Sequence, residues 1–277
     1  MNKHILLTGG HSGLGLELTK KVLNEGHHLG LILRSEKRKA DAIEAIGTSD
    51  NIDFFLADLA KQRDIRQVAR EIMSKWDVVD GLFSNAGVLL GQAFYSDQGN
   101  EMHFEVNTLA PYILSSELMP AFEKAQQPFI VVTASGTARE VNNWVPDIPD
   151  LKKPAKFVKL TGSYRQSKLA LVLLMTHMAE ENKNVRIISL NPGAIDTKMV
   201  RGKGTPFFVK LLRPFVFEAP EKGAQRVYDV AFADKYQTHT GVFVSSKGEI
   251  QRIENKLRLQ DLDQINASII EWEKEDI

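Results

Sequence analysis

Two side chains near the middle of the chain, Tyr164 and Lys168, have the types and the spacing for proton transfer. They open the apolar run 169–175, which predicts the first turns of a buried helix, and residues four apart lie on one helical face. A neighbouring ammonium favours the phenolate and so lowers the pKa of a phenol, ordinarily about 10. The pair can therefore act as an acid–base group near neutral pH, although the same spacing also occurs in ordinary surface pairs.

A glycine-rich turn near the N-terminus is the second candidate for chemistry. Residues 4–8 predict a short strand, residues 9–15 have the spacing Gly-x-x-x-Gly-x-Gly, and apolar residues at helical spacing follow. Glycines let the backbone approach a pyrophosphate, and a helix N-terminus offers free N–H groups and the positive end of its dipole. The turn thus indicates dinucleotide binding, the alternative being an ordinary glycine-rich turn. The Gly-Lys-Ser/Thr sequence of a nucleoside triphosphate loop is missing.

The end of the second predicted strand, residues 28–33, indicates which dinucleotide would bind. Sites that select NAD usually carry an acidic residue here, which accepts hydrogen bonds from the ribose hydroxyls. This chain has Arg34 instead, followed by Lys37 and Arg38 with Glu36 beside them. Cations at this point would stabilise a 2′-phosphate, so the sequence predicts NADP(H) in preference to NAD(H). The alternative is a solvated basic start of a helix.

Short apolar segments alternate with helical patterns along the chain. Further strands are predicted at residues 52–57, 78–83, 129–133, 185–190 and 241–244, and helices at 65–76 and 102–118. Strands that are apolar on both faces predict a parallel sheet covered on both sides. We therefore expect an α/β fold, a Rossmann-type doubly wound parallel β-sheet of about seven strands with helices on both faces. One domain is expected to span residues 1–277.

The composition excludes several classes of function. Among 277 residues, Lys+Arg and Asp+Glu both number 35, so zero net charge gives no electrostatic case for nucleic acid. No cysteine occurs, which excludes disulfide and thiol chemistry and agrees with a reducing cytosol. No apolar run approaches the ~20 residues of a membrane span, and a strand-like segment begins at once without a targeting peptide. We expect a cytoplasmic protein without an integral membrane segment, and no metal site, because the histidines have no ligand spacing with carboxylates.

The ordered motifs together resemble those of the classical short-chain dehydrogenase/reductase family. The matching positions, between about residues 4 and 244, are the segment 8–15, Asp58, Asn85-Ala86-Gly87, Asn107, Ser135, Tyr164, Lys168 and Pro192-Gly193. Ser135 and Tyr164 stand 29 residues apart, farther than in many classical members, and the extra stretch 141–157 is expected to be an ordered loop. With Arg34 and the segment 219–224, this resembles the branch of retinol dehydrogenases and protochlorophyllide reductases. Members of that branch generally prefer NADP(H) and bulky apolar substrates.

The resemblance implies a role for each matched residue. Tyr164 would exchange a proton with the substrate oxygen, and Lys168 would bind the nicotinamide ribose and lower the pKa of the phenol. Ser135, with Thr133 as the nearby alternative, would polarise the carbonyl. Asn107 would hold a water in a proton relay, or else only cap or kink its helix. The residues expected to contact the cofactor are Gly9, His11, Ser12, Gly13, Leu14, Gly15, Arg34, Asp58, Leu59, Asn85, Ala86, Gly87, Tyr164, Lys168, Asn191, Pro192, Gly193, Ile195 and Thr197. Asp58 would bond the adenine amino group, or be a helix N-cap.

Two later segments bear on the substrate and on assembly. Residues 205–217, within a lid expected at about 197–220, are apolar with two cations and would close over a lipophilic or aromatic substrate. A short helix packed on the core and a membrane contact are the alternatives. Residues 257–275 predict an amphipathic C-terminal helix, packed on its own subunit or at a dimer seam. The resemblance is compatible with a monomer, a homodimer or a homotetramer.

The function expected from these residues is NADP(H)-dependent hydride transfer between the nicotinamide and a small-molecule carbonyl or alcohol. A cofactor-sensing regulator or scaffold on the same fold is the alternative. Such proteins usually lose one of the residues Asn107, Ser135, Tyr164 and Lys168, and this chain has all four. A nucleotide-sugar epimerase or dehydratase would use the same Tyr and Lys. It normally needs a larger C-terminal domain than the ~80 residues after Gly193 allow.

Overall fold

One mixed β-sheet forms the centre of the protein. The structure is a computed structural model that describes residues 2–202, 204–205 and 216–269. Within these residues the strands are β1 (His4–Thr8), β2 (His28–Leu33), β3 (Ile52–Leu56), β4 (Gly81–Ser84), β5 (Phe129–Thr133), β6 (Arg186–Leu190), β7 (Val242–Val244) and β8 (Ile250–Arg252). They lie in the order β3-β2-β1-β4-β5-β6-β7-β8. The order reverses between β1 and β4, which creates the crevice in which such sheets bind ligands.

Helices connect successive strands. They are α1 (Gly13–Asn24), α2 (Glu36–Ile46), α3 (Gln62–Lys75), α4 (Met102–Phe104), α5 (Ala110–Glu117), α6 (Met119–Phe122), α7 (Ile148–Lys152), α8 (Ser163–Glu181), α9 (Lys198–Arg201), α10 (Pro220–Phe232) and α11 (Leu259–Asn266). A π-helical turn joins α4 to α5 at Glu105–Leu109, and 3₁₀ turns lie at Gly136–Asn143 and Asp234–Tyr236. None of the helices in the described ranges combines the length and apolarity needed to cross a membrane.

Alternate residues of the central strands point to opposite faces, as the sequence predicts. On β1, Leu6 packs in one apolar cluster, whereas Ile5 and Leu7 pack in another on the opposite face. The first cluster is completed by α3, α5 and α8, and the second by α1 and α10. The predicted doubly wound α/β fold is therefore confirmed.

The sequence prediction is incomplete at the edge of the sheet. Strands β1 to β7 are parallel, but β8 pairs antiparallel with β7, so the sheet has one strand more than expected and is not wholly parallel. Strand β8 has only three residues, Ile250, Gln251 and Arg252, two of them exposed. So short a polar segment has no apolar pattern by which it could be recognised.

Three other expected elements differ in detail. The helix predicted at 102–118 is interrupted by the π-helical turn, because Pro111 has no N–H to donate to the carbonyl of Asn107. The loop expected at 141–157 contains the end of a 3₁₀ turn and the helix α7. The C-terminal helix ends at Asn266, and residues 270–277 lie outside the described residues.

Candidate active site

The carboxyl ends of β1, β4, β5 and β6 surround a cavity of about 690 Å³. The predicted site residues that line it are Gly9, His11, Ser12, Gly13, Leu14, Gly15, Asn85, Ala86, Gly87, Ser135, Tyr164, Lys168, Asn191, Pro192, Gly193, Ile195 and Thr197. Segments almost 190 residues apart thus meet in one place. The cavity size is ordinary for a small-molecule or cofactor site.

The glycine-rich turn follows β1 and leads into α1 at one end of the cavity. Gly9 and Gly13 have φ angles of +74° and +55°, a conformation that favours glycine. A Cβ on Gly15 would lie 2.2 Å from the carbonyl oxygen of Gly9, so only glycine fits there. Ser12 is the N-cap of α1 but makes no side-chain capping bond, which leaves the first N–H groups of the helix available to a ligand.

Thr8 and Asn85 join the ends of three strands. The Thr8 hydroxyl accepts hydrogen bonds from the backbone N–H groups of Asn85 and Ala86, both at 3.0 Å. The Asn85 amide donates to the carbonyl oxygen of Thr8 at 3.4 Å and accepts from the Thr133 hydroxyl at 3.3 Å. Thr8 and Asn85 therefore brace the central strands.

Ser135, Tyr164 and Lys168 meet at the middle of the cavity. Ser135 follows β5, and its hydroxyl lies near the phenol of Tyr164. Burial raises the pKa of Tyr164, and the nearby Ser135 hydroxyl partly opposes that rise. Lys168, 5 % exposed, donates from Nζ to the Thr133 carbonyl at 2.7 Å, and burial lowers its pKa to about 8. Lys168 Nζ thus turns toward the end of β5, and its effect on the Tyr164 pKa stays a prediction.

Asn107 lies fully buried in the π-helical turn and binds a neighbouring segment instead of its own helix. Its Oδ1 accepts from the Val88 N–H at 2.8 Å, and its Nδ2 donates to the Val88 carbonyl at 3.0 Å and to the Ser167 hydroxyl at 3.2 Å. A Cβ on Gly87 would lie 3.0 Å from Asn107 Oδ1 and 3.6 Å from Lys168 Nζ, so these two side chains flank the same glycine. The alternative of a purely local cap is wrong.

Comparison with known proteins agrees with this arrangement. Residues 3–146 match the family described as short chain dehydrogenase. A short-chain dehydrogenase/reductase of Armillaria gallica is 32 % identical over 231 residues, which cover 78 % of this chain and 72 % of that protein. The chain belongs to the short-chain dehydrogenase family.

One further sequence relative and one solved structure extend the comparison of this short-chain dehydrogenase. Retinol dehydrogenase 13 of Mus musculus is 28 % identical over 252 residues, covering 87 % of this chain and 75 % of that protein. The resemblance to the retinol dehydrogenase branch is therefore confirmed. The structure of the Pseudomonas aeruginosa RhlG/NADP active-site complex superposes with a TM-score of 0.69 at 19 % identity, covering 88 % of this chain and 94 % of that one. At that identity the match shows the fold alone.

Three residues predicted to contact the dinucleotide lie beyond the cavity wall. Arg34 is exposed at the carboxyl end of β2, next to the start of α2. Asp58 accepts a bond from the Ala60 N–H at 3.1 Å within a turn, and Leu59 packs against the core. The helix after this turn begins at Gln62 with Lys61 as its N-cap, so the alternative of Asp58 as a helix N-cap is wrong.

An ion pair supports the Pro192-Gly193 turn of this dehydrogenase from behind. Arg226 on α10 donates to the Pro192 carbonyl at 2.8 Å and to both carboxylate oxygens of Glu218 at 2.9 Å. Gly193 has a φ of +102°, and a Cβ there would lie 2.6 Å from Arg226. The sequence motif contains no signal for this contact, because 34 residues separate Arg226 from Pro192.

Part of the cavity lining is apolar. Leu89, Leu160, Val200 and Phe217 belong to it, and Leu160 has a φ of +57°, unusual for a leucine. Thr205 and Phe217, the ends of the predicted lid segment, both reach the cavity, whereas residues 206–215 lie outside the described residues. In the part of the chain that the structure describes, no three His, Asp or Glu side chains are grouped to hold a metal ion.

Proposed function

We propose that this short-chain dehydrogenase transfers a hydride between NADP(H) and the carbonyl or alcohol group of an apolar small molecule. The observation that carries the proposal is that Ser135, Tyr164 and Lys168 line one cavity, with the Ser135 hydroxyl near the Tyr164 phenol. Two hydroxyls in this arrangement can both donate a hydrogen bond to one substrate oxygen, on which negative charge develops during hydride transfer. Lys168 stands one helical turn from Tyr164; Lys168 is buried, and Tyr164 is half-buried.

The shape of the glycine-rich end of the cavity fits a dinucleotide. Positive φ angles at Gly9 and Gly13, and the close approach of Gly15 to Gly9, bring bare backbone to the cavity surface beside the N-terminus of α1. This is the environment that stabilises a pyrophosphate. The bound nicotinamide would supply or accept the hydride, and side chains of the protein would carry out the proton transfers.

The side chains suit reduction of a carbonyl. The raised pKa of Tyr164 keeps its phenol protonated at neutral pH, so it can donate a proton to the substrate oxygen. Ser135 would then stabilise the phenolate by donating a hydrogen bond to it. Asn107 and Lys168, which flank Gly87, would return a proton to Tyr164 from solvent through a water, as the resemblance implies. We propose these four residues as the catalytic set.

The preference for NADP(H) is proposed from the charge at the end of β2. Arg34 is exposed and forms no ion pair within the described residues, so its guanidinium is available to a 2′-phosphate. Arg38 is already paired with Asp41 at 2.9 Å, which reduces the cations expected there to Arg34 and Lys37. Guanidinium binds phosphate with two parallel hydrogen bonds, which makes Arg34 the residue that selects the cofactor.

The substrate class is proposed from the apolar part of the cavity lining. Leu89, Leu160 and Phe217 line the same cavity as Ser135 and Tyr164 and present apolar surface to it. Burying an apolar substrate against such a wall is favourable by about 25 cal/mol per Å². The name of one relative, retinol dehydrogenase 13, agrees with a lipophilic alcohol or aldehyde.

The test measures the rate of NADPH oxidation with aliphatic, aromatic and terpenoid aldehydes and ketones as substrates, and repeats the measurement with NADH. We expect turnover with NADPH, best with bulky apolar carbonyls, and loss of at least about a thousandfold in kcat for Tyr164→Phe with unchanged NADPH affinity. Tyr112→Phe is the matched control, because Tyr112 is also a partly buried tyrosine on a helix but lies away from the cavity. Tight NADPH binding with no turnover across the panel would refute the proposal and favour the cofactor-sensing alternative.

A further inference from the structure

A buried acid–imidazole pair lies beside the proposed catalytic set. Glu101 and His103, at the start of α4, are 0 % and 1 % exposed. Glu101 Oε1 contacts His103 Nδ1 at 2.9 Å, and Glu101 Oε2 accepts from the His103 backbone N–H at 2.8 Å. Burying a carboxylate and an imidazole is costly unless every polar atom has a partner, so a pair of this kind calls for an explanation.

The hydrogen bonds assign the tautomer of the ring. His103 Nε2 lies 2.9 Å from the backbone N–H of Leu90, which can only donate. Nε2 must therefore accept with its lone pair, and the ring proton is on Nδ1, where it is donated to Glu101. The carboxylate thus determines that His103 Nε2 is the ring nitrogen that can accept from the Leu90 amide.

The segment that His103 holds forms one wall of the cavity. Asn107 binds both backbone groups of Val88, and His103 binds the N–H of Leu90, so two side chains of one helical stretch fix alternate residues of the same segment. Leu89, between them, lines the cavity. A Cβ on Gly204 would lie 2.4 Å from the Leu89 carbonyl, so the backbone of Gly204 packs directly against this wall.

The same ring contacts the proposed proton donor. The centroid of the His103 ring is 6.0 Å from that of Tyr164, with the planes at 80°, an edge-to-face arrangement. Its other contact is with Phe157, at 5.9 Å and 25°. One imidazole thus touches both the cavity wall and the side of the phenol.

We propose that His103, held in one tautomer by Glu101, is a positioning residue that determines which substrates fit between Leu89 and Tyr164. The inference rests on the proposed function, because it assigns the substrate selectivity of that same site. Turnover of bulky apolar carbonyls should therefore depend more on the Glu101–His103 pair than turnover of small ones. A bulky substrate reaches Leu89 while its oxygen lies at Tyr164. Neither Glu101 nor His103 lines the part of the cavity assigned to the dinucleotide.

Glu101→Gln tests the tautomer with little change in shape. The amide oxygen of the new glutamine can still accept from the backbone N–H of His103. Its NH₂ group then takes the place of the carboxylate oxygen that faces His103 Nδ1. To avoid two facing donors the ring would move its proton to Nε2, where it opposes the Leu90 N–H. His103→Phe keeps an aromatic ring beside Tyr164 and removes both ring hydrogen bonds. His103→Gln keeps an acceptor within reach of Leu90.

The kinetic test compares a bulky with a small aldehyde, well below the unfolding temperature of each variant. We expect Glu101→Gln and His103→Phe to lose about tenfold to a hundredfold in kcat/KM for the bulky substrate, with a clearly smaller loss for the small one. His103→Gln should recover most of the loss, and NADPH affinity should stay within about twofold. His27→Gln is the control, because His27 is also buried but lies against Phe232, remote from the cavity. Equal losses for both substrates, as expected of a general loss of stability, would overturn the inference.

Amide hydrogen exchange at Leu90 gives a measurement that needs no turnover. We expect the Leu90 amide to exchange at least about tenfold faster in Glu101→Gln than in the wild type, and no change there in His27→Gln. Unchanged exchange at Leu90 in Glu101→Gln would overturn the inference even if the enzyme were active. Absence of wild-type turnover would instead refute the proposed function, and the positioning of the Leu90 segment would then be decided by exchange alone.

Discussion

Replacing Lys168 by methionine is expected to stabilise the protein while removing its proposed activity. Lys168 is 5 % exposed, and among the described residues the partner of its ammonium is a single carbonyl oxygen, that of Thr133 at 2.7 Å. Methionine has a similar length, keeps the apolar stem and has no charge to desolvate. The variant therefore isolates the cost of the buried charge.

The magnitude follows from the pKa. Burial lowers the pKa of Lys168 from 10.5 to about 8. At about 1.4 kcal/mol per pKa unit, the charged form costs the folded protein about 3 kcal/mol at neutral pH. The variant also loses the hydrogen bond to Thr133, which destabilises it by about 1 kcal/mol. We therefore expect Lys168→Met to raise the free energy of unfolding by about 2 kcal/mol.

The sign of the pH dependence gives a second test of the same charge. Below about pH 8 both folded and unfolded states carry the proton on Lys168, and the full cost is present. Between about pH 8 and 10 the folded state releases the proton while the unfolded state keeps it, so wild-type stability rises with pH. Lys168→Met lacks this rise, and its advantage should shrink as the pH increases.

Urea unfolding of Lys168→Met and wild type at about pH 7, 8 and 9.5, followed by tryptophan fluorescence, measures both effects. Lys183→Met is the control, because Lys183 is exposed and its replacement should leave stability within about 0.5 kcal/mol. If Lys168→Met were no more stable than wild type at pH 7, or if the two pH profiles ran parallel, the buried-charge argument would be refuted.

Three further substitutions test other parts of the structure. Glu105→Ala should cost about 3 kcal/mol in urea unfolding, because the buried carboxylate accepts bonds from Gln62, Ser96 and Asn100 at 2.7–2.8 Å. Gly15→Ala should weaken NADPH binding at least about a hundredfold in fluorescence titration, because its Cβ would overlap the Gly9 carbonyl. Arg34→Asp should lower the ratio of kcat/KM for NADPH over NADH by at least about tenfold.

Each of these variants has a matched control. Glu123→Ala removes an exposed carboxylate and should change stability by less than about 0.5 kcal/mol. Gly47→Ala adds a Cβ in open space at a φ of +77°, so it should cost about 1 kcal/mol of stability without affecting NADPH binding. Arg252→Asp reverses an exposed charge on β8 and should leave the cofactor ratio unchanged. Equal cofactor ratios for Arg34→Asp and wild type would contradict the NADP(H) assignment.

The sequence predicts the sheet well because its evidence is local. Each parallel strand is a short apolar run whose alternate residues, such as Ile5 and Leu6, pack on opposite faces. Such runs are visible without knowledge of their neighbours. Strand β8 has no such run and forms because its backbone pairs with the edge of β7, which no local pattern records. Likewise, the π-helical turn depends on Pro111 and on the distant partner of Asn107.

The candidate site is predictable by residue type but not by contact. The motifs identify Ser135, Tyr164, Lys168 and Asn107, and the fold brings all four to one cavity region. The sequence also suggests that Lys168 acts on Tyr164, since the two are four residues apart, but that spacing gives no sign of the bond from Nζ to the Thr133 carbonyl at the end of β5. Partners such as Arg226 for Pro192, or Glu101 for His103, are found only when distant segments are in place.

The buried polar side chains of the site are satisfied chiefly by backbone groups, and this explains how they stay in position. Lys168 binds the Thr133 carbonyl, Asn107 binds both backbone groups of Val88, and the Thr108 hydroxyl donates to the Ser167 carbonyl at 2.8 Å. A side chain held by the rigid end of a strand has little freedom to reorient, because any other orientation leaves a buried group without a partner. The stability that the protein loses by burying Lys168 is therefore the cost of holding its ammonium ready beside Tyr164. For that reason we expect the most stabilising substitution in the cavity to fall on a residue of the proposed catalytic set.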